Sequence, residues 1–172
     1  TTIPNGRATI GTAIHGGAEY SWTEAIKSGD KSAINVPAAK DAAVQTYQQQ
    51  VEDFGVKHDY GEDDNTAIGE VVSGMDAFID DIIPFAEIPE RVEHRYTIEI
   101  AGHPIIGRLS GTLDYIGNGI IADLKTTKRK PTVQNYEIQQ STYRLLAEEN
   151  GETVSHNHIQ AVVLTKVPKG TI

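Results

Sequence analysis

The sequence contains no cysteine and no long apolar run. The absence of cysteine excludes disulfide bonds, thiolate zinc sites, iron–sulfur clusters and cysteine nucleophiles. No apolar stretch approaches the roughly 18 residues that a membrane-spanning helix needs, and the N-terminal residues lack the pattern of a targeting peptide. We therefore expect a cytoplasmic protein that does not contact membranes, and any catalytic metal must be bound by oxygen and imidazole ligands.

Positively charged residues are also in deficit. The 172 residues include 15 Lys and Arg against 24 Asp and Glu, which gives a net charge of −9. A general attraction to nucleic acid is therefore not expected, and a nucleic-acid partner would need a local basic patch. The length and the 38% of hydrophobic residues suit an ordinary core, so we expect a single domain over residues 1–172.

The N-terminal half has helical periodicity. Apolar residues recur every three or four positions in residues 11–26, 37–54 and 68–82, and Pro84 is expected to end the third helix. An acidic stretch, residues 59–65, separates the second and third helices. Its spacing fails the calcium-loop pattern, so we interpret it as a solvated loop. Residues 1–85 are therefore expected to be mainly helical.

The C-terminal half begins with strand patterns. Apolar and polar residues alternate in residues 92–100, and strands are also predicted at 105–116 and 120–125, joined by the tight turn Gly117-Asn118-Gly119. A helix over 133–150 and a last strand over 159–167 follow. Residues 86–172 are thus expected to form the sheet core of an α/β (α+β) domain.

Two carboxylates and a lysine are predicted to converge on this sheet. Asp123 and Lys125 are two residues apart on one strand, so they share a face, and Asp114 lies across the hairpin from them. Ionised carboxylates repel each other unless a cation lies between them, and Mg²⁺ prefers oxygen ligands. Lys125 would then stabilise negative charge on a phosphate or orient an attacking water. Each residue alone is more typical of an ion pair or a turn, so only the combination points to phosphodiester hydrolysis.

Helical side chains extend this prediction. His15 would add an imidazole ligand if its helix lies over the sheet, which would widen the metal preference from Mg²⁺ towards Mn²⁺. Gln139 and Tyr143 are four residues apart on one helix face, where they would position a phosphate, a water or Lys125. Ordinary helix packing is the alternative for all three residues.

A basic run follows the predicted third strand. The six residues 125–130 contain four cations, which are Lys125, Lys128, Arg129 and Lys130. Such a run is either a solvated loop or the local patch that a phosphate backbone requires. Beside a metal site, the second interpretation is favoured.

Four short motifs occur in a fixed order. Gly11-Thr12-Ala13-Ile14-His15 is followed by Gly111-Thr112-Leu113-Asp114, by Asp123-Leu124-Lys125-Thr126, and by Gln139 with Tyr143. They resemble the G-T-x-h-H helix, the G-x-h-D strand, the D-h-K-T strand and the Q-x-x-x-Y helix of the RecB-type branch of the PD-(D/E)xK nuclease superfamily. That branch includes nucleases related to CRISPR-adaptation and phage recombination exonucleases. The resemblance extends over roughly residues 8–166, and Glu93 resembles a position that is frequently acidic in the family.

The resemblance implies a restriction-endonuclease-like fold, with a central mixed sheet flanked by helices and an N-terminal helical segment. It further implies that Mg²⁺ or Mn²⁺ is bound by His15, Asp114, Asp123 and the backbone carbonyl of Leu124. Lys125 would act on the water or the transition state with support from Gln139 and Tyr143. From the basic run itself, we expect the substrate to contact Thr126, Lys128, Arg129 and Lys130. Two departures stand out: the chain cannot hold the cysteine-bound iron–sulfur cluster of many relatives, and only about ten residues precede the first motif.

The function expected from these features is that of a metal-dependent DNA nuclease. An exonuclease acting on linear single- or double-stranded DNA in phage-type recombination or repair is favoured, and a homo-oligomer or a recombination partner protein is compatible with it. The leading alternative is a non-catalytic nucleic-acid-binding or structural module on the same fold. A metal-free hydrolase that uses His15 or Tyr143 is a weaker alternative, because no partnered nucleophile is evident.

Overall fold

A computed structural model describes residues 3–58, 62–102, 107–165 and 169–171. Their helices are α1 (Gly6–Ser28), α2 (Val36–Phe54), α3 (Asp64–Ala77) and α4 (Glu137–Glu149), with short 3₁₀ segments at Lys31–Ala33 and Val133–Tyr136 and a π-helical turn at Phe78–Ile82. The strands are β1 (Arg91–Glu99), β2 (Arg108–Gly117), β3 (Ile120–Thr127), β4 (His156–Val163) and β5 (Lys169–Thr171). Within the described ranges, none of the helices has an apolar stretch sufficient for a membrane span.

Side-chain caps determine where the first three helices begin. Asn5 accepts a hydrogen bond from Ala8 N, Asn35 from Ala38 N, and Asp63 from Thr66 N. Each cap satisfies a backbone donor that has no partner inside the helix. α1 therefore begins five residues before the predicted start, because the helix extends back to the Asn5 cap through residues that lack apolar periodicity.

The acidic stretch before α3 is exposed at Asp63 and Asp64, as predicted, but its described residues also make specific contacts. Glu62 forms an ion pair with Arg7, and Asp63 caps α3. Asp64 accepts a hydrogen bond from Tyr47 Oη at 2.8 Å and lies 2.9 Å from His58 Nε2. Residues 59–61 of the predicted loop lie outside the described residues. The partners come from α1, α2 and the segment after α2, which the local acidic pattern could not reveal.

The chain divides into two compact units. The first unit comprises Thr1–Ile88, Leu124–Lys130 and Gln160–Ile172, and the second unit comprises Pro89–Asp123 and Pro131–Ile159. The boundary does not fall between the predicted helical part and the sheet part, because β3 and β4 each contribute residues to both units.

Close helix packing forms the core of the first unit. Trp22 of α1 packs edge-to-face on Phe78, with ring centroids 6.1 Å apart, and both side chains are buried. Gly17 of α1 lies directly against α2 and α3: a Cβ placed there would lie 2.7 Å from Met75 Sδ and 2.8 Å from Ala43 Cβ. The missing side chain is what allows the three helices to approach this closely.

We expect Gly17→Ala to destabilise the chain by about 1–3 kcal/mol, because the new methyl group overpacks a filled core. The matched substitution Gly69→Ala lies on α3 where no atom of the described residues is within 4 Å of the new Cβ. That variant should gain about 0.5–1 kcal/mol from better helix propensity. Urea unfolding of both variants checks the contrast, and a Gly17→Ala midpoint at or above that of the original chain would contradict it.

The second unit is built on two hairpins. β1 pairs antiparallel with β2 in the register Val92–Tyr115 and His94–Leu113, and β2 pairs antiparallel with β3 through Tyr115–Ala122. The predicted turn between β2 and β3 is confirmed: Asn118 and Gly119 have φ values of 52° and 75°, as a two-residue hairpin turn requires. The core cluster of this unit combines strand residues with α4 and the loop after it, namely Tyr96, Leu113, Ile116, Ile121, Leu146, Ala147 and Val154.

The five strands form one mixed sheet in the order β1-β2-β3-β4-β5. β3 and β4 are parallel, since Ser155 N donates to Gly119 O at their starts and Leu164 N donates to Thr127 O at their ends. α4 is the crossover between them. β4 begins three residues before the predicted strand, and β5, which pairs antiparallel with it, was not predicted. A three-residue strand is too short to show an alternating pattern.

A half-buried polar contact holds β1 to the segment after α4. Glu152 forms an ion pair with Arg91 and accepts a hydrogen bond from Tyr96 Oη at 2.8 Å. These bonds, that of Tyr96 first, lower the pKa of Glu152 below its ordinary value of 4.5. Burial and the bond to Glu152 raise the pKa of Tyr96 to about 12.

Glu152→Gln is expected to make the chain less stable at neutral pH by about 1 kcal/mol, through loss of charge-assisted bonds. A carboxylate whose pKa is lowered by folding contributes stability above its unfolded value, and this contribution is lost as the pH falls through the folded value. The difference between the two proteins should therefore shrink below about pH 4.5. Denaturant titrations from pH 7 to pH 3 measure this stability difference, with Glu149→Gln as the control. A difference that is undiminished at pH 3 would contradict the role of the Glu152 carboxylate in stability.

Candidate active site

Two carboxylates lie opposite each other on β1 and β2. Glu93 and Asp114 occupy the position between the pairs Val92–Tyr115 and His94–Leu113, so they are direct cross-strand neighbours. Their carboxylate oxygens lie within 4.8 Å of each other. Asp114 is buried, whereas Glu93 is exposed. The second unit therefore holds a close pair of acidic groups with one open side.

The pair is held against two unfavourable local effects. Like charges directly opposite each other in a sheet are destabilising. In addition, Glu93 has φ = 45°, in the left-handed region that side chains other than glycine rarely occupy. Strain of this kind is typical of functional positions. A hard divalent cation would remove the repulsion and is best bound by carboxylate oxygens, so the donor set fits Mg²⁺ or Mn²⁺.

Asp123 lies beside this pair on the next strand. It follows Ala122, the partner of Tyr115, so it is a neighbour of Asp114 across the β2–β3 ladder. Its side chain is only 1% exposed. Within the part of the chain that the structure describes, Asp123 does not belong to a set of candidate metal ligands whose atoms all lie within 4.8 Å of one another. The three acids thus occupy adjacent strands, with Glu93 and Asp114 within 4.8 Å of each other.

The first turns of α4 reach Asp123. Gln139 Nε2 donates to Asp123 Oδ1 at 3.4 Å and to Tyr143 Oη at 2.8 Å. α4 can approach β2 because Gly111 has no side chain: a Cβ there would lie 2.8 Å from Leu146 Cδ1 and 3.3 Å from the Tyr143 ring. The glycine of the second motif therefore makes room for the tyrosine of the fourth.

The other predicted site residues belong to the first unit. His15 is half-buried on α1, one turn after Gly11, and a Cβ at Gly11 would lie 3.7 Å from Thr126 Cβ. The start of α1 therefore lies against the end of β3. Leu124 is fully buried, Lys125 and Thr126 are half-buried, and the side chains of Lys128, Arg129 and Lys130 are exposed.

The sequence pointed to Glu93 only through its resemblance to a frequently acidic family position, and did not place it among the metal ligands. Its alternating strand pattern is ordinary, and only the β1–β2 register shows that it lies opposite Asp114. Strand pairing could have revealed this position. Aligning the alternation of residues 92–100 with that of residues 105–116 would have placed Glu93 opposite Asp114. Residues 103–106 of that predicted strand lie outside the described residues.

Comparison with known proteins gives one family. The model of the PD-(D/E)XK nuclease superfamily matches residues 2–169. No curated protein and no solved structure shows significant similarity to the chain. The mixed five-stranded sheet flanked by helices has the α/β restriction-endonuclease-like architecture expected from the motifs. Since the match extends over almost the entire chain, the protein belongs to the PD-(D/E)XK nuclease superfamily.

Proposed function

We propose that the chain is a divalent-metal-dependent deoxyribonuclease, and specifically an exonuclease of the RecB-type branch that acts on linear DNA in phage-type recombination or repair. The observation that carries the proposal is the Glu93–Asp114 carboxylate pair beside buried Asp123. The four ordered motifs support the choice of branch, and the superfamily supports nucleic acid as substrate.

The metal ligands in this proposal come from three strands and one helix. Glu93, Asp114 and Asp123 provide carboxylates, Leu124 provides its backbone carbonyl, and His15 provides an imidazole. Mg²⁺ or Mn²⁺ bound there would polarise the phosphodiester and lower the pKa of a water molecule. The sequence supports the inclusion of His15 through the G-T-x-h-H motif, and its helix begins against the end of β3, the strand of Leu124.

The residues of the chain itself have distinct roles. Lys125 lies two residues after Asp123 on β3, so its ammonium is placed to stabilise negative charge that develops on the phosphate. Gln139 bonds both Asp123 and Tyr143, so it fixes the carboxylate in one orientation. Tyr143 in turn holds the Gln139 amide and supports the phosphate side of the site.

The basic run after β3 is the proposed DNA contact, with Thr126 at its start. Replacing Lys128 and Arg129 together with alanine should weaken DNA binding and flatten its dependence on salt by about 1–2 units of slope, because up to two fewer counterions are released per complex. Fluorescence anisotropy of a labelled oligonucleotide between 50 and 200 mM salt measures this. An unchanged slope would show that these exposed side chains face solvent and do not contact DNA.

The test of the function uses end-labelled linear DNA and circular DNA of the same sequence. With Mg²⁺ or Mn²⁺, nucleotides should be released from the linear substrate while the circle persists, and EDTA should stop the reaction. Degradation of the circle would show an endonuclease. Cutting that continues in EDTA would favour a metal-free hydrolase, and binding without cutting under every metal condition would favour a non-catalytic module.

A further inference from the structure

Two histidines lie on one face of β4, apart from the acidic pair on β1 and β2. His156 and His158 are two residues apart on the strand, so their side chains project from the same face. Their ring centroids are 6.1 Å apart, with an interplanar angle of 70°. His156 is exposed and His158 is half-buried. The start of β4 therefore presents two neighbouring imidazoles to solvent.

A chain of hydrogen bonds fixes which nitrogen of His156 carries the proton. Ser155 Oγ donates to Gly119 O at 2.9 Å, and His156 Nδ1 lies 3.0 Å from the same Oγ. A serine hydroxyl has a single hydrogen, which this carbonyl takes. Ser155 Oγ therefore accepts from His156, and the proton must be on Nδ1. In the neutral ring the free lone pair is then on Nε2.

This arrangement has the features of a metal-ligating histidine. The ring nitrogen that does not bind the metal usually donates to a neighbouring oxygen, which fixes the tautomer and the orientation of the ring. Ser155 Oγ provides that oxygen here. The backbone of the same segment is also held, because Ser155 N and His156 N both donate to Gly119 O in the β2–β3 turn. His156 Nε2 is thus a preformed ligand on a fixed backbone.

The spacing of the two rings suits a shared ion. A zinc ion about 2.0–2.1 Å from an imidazole nitrogen lies about 3 Å from the centre of that ring, so two rings on one tetrahedral ion have centroids about 5 Å apart. The observed separation of 6.1 Å exceeds this value by about 1 Å, a difference that a small side-chain rotation closes.

We propose that His156 and His158 bind a divalent transition metal such as Zn²⁺ or Ni²⁺ at the start of β4. Imidazole nitrogen suits these ions, whereas Mg²⁺ prefers oxygen ligands, so the site differs chemically from the acidic pair. It is also separated from Asp123: His156 N bonds Gly119 O, and Asp123 lies four residues further along β3, about 13 Å at about 3.3 Å per residue. Metal binding at this site does not depend on the nuclease function.

The first experiment follows the ¹⁵N-labelled imidazoles by NMR. In the metal-free chain the proton of His156 should be on Nδ1. Ser155→Ala should lose this preference, and Ser155→Thr, which retains a hydroxyl, should keep it. Zn²⁺ is then titrated in excess Mg²⁺, which competes for carboxylate ligands but not for imidazole. Saturable shifts are expected at both rings, and Mg²⁺ alone should produce none. The absence of Zn²⁺-dependent shifts at either ring would overturn the shared site.

The same titration measures the affinity, because each ring is observed separately. His156→Gln and His158→Gln should each weaken Zn²⁺ binding at the remaining ring by at least about tenfold, and Ser155→Ala should weaken it by about tenfold through loss of the orienting partner. His94→Gln removes a half-buried histidine of β1 and should bind as the original chain does. Unchanged affinity in either His156→Gln or His158→Gln would overturn the proposal, because it would show that one imidazole binds the ion alone.

Discussion

Replacing Asp123 or Lys125 with alanine is expected to abolish the release of nucleotides from linear DNA. We expect the rate to fall by at least about a hundredfold, because in the proposed mechanism each substitution removes a group that acts on charge developing in the transition state. Asp123 is 1% exposed and accepts a hydrogen bond from Gln139, so its loss also removes a partner of the Gln139 amide. The measurement is nucleotide release in Mg²⁺ or Mn²⁺, with the circular dichroism spectrum recorded for each variant.

Two exposed residues provide matched controls. Asp41→Ala removes a carboxylate from α2, and Lys27→Ala removes an ammonium from α1, and both side chains are exposed. Both variants should cut at the original rate. Full activity in Asp123→Ala and Lys125→Ala, with an unchanged spectrum, would end the proposal that these residues form the catalytic site.

Glu93→Gln is expected to raise the stability of the metal-free protein and to reduce the stability that added metal provides. In EDTA the variant should be more stable by about 1 kcal/mol, which corresponds to a melting temperature about 2–4 °C higher, because the repulsion between Glu93 and Asp114 is removed. The original chain should gain stability on addition of Mn²⁺ or Mg²⁺, since a ligand that binds only the folded state stabilises it. Glu93→Gln should lose most of this gain, because the amide is a poorer ligand than the carboxylate.

Thermal unfolding with and without metal measures both effects. Glu149→Gln removes an exposed carboxylate from the end of α4 and should retain the full metal-dependent increase. An increase in Glu93→Gln as large as that of the original chain would show that Glu93 is not a ligand. A lower melting temperature of Glu93→Gln in EDTA would show that the close acidic pair carries no repulsive cost.

Most of the secondary structure could be predicted from local patterns. The third helix and the β2–β3 hairpin follow from apolar periodicity and from the Asn118-Gly119 turn, because these depend on residues close in the chain. The boundaries were less accurate where a cap or a partner decides them: α1 begins at Gly6 because Asn5 caps it, and β5 exists because β4 pairs with it. The four motifs likewise led to the correct superfamily, because their residue types and order appear in the chain itself.

The sequence by itself determined most of the helical and strand segments, the local basic run and the candidate groups Asp114, Asp123, Lys125, Gln139 and Tyr143. Tertiary structure alone decided that Glu93 lies opposite Asp114 and that Glu62 and Asp64 bind Arg7 and Tyr47. The physical reason is that periodicity and capping are properties of neighbouring residues, whereas strand register and packing bring together groups that no local pattern relates.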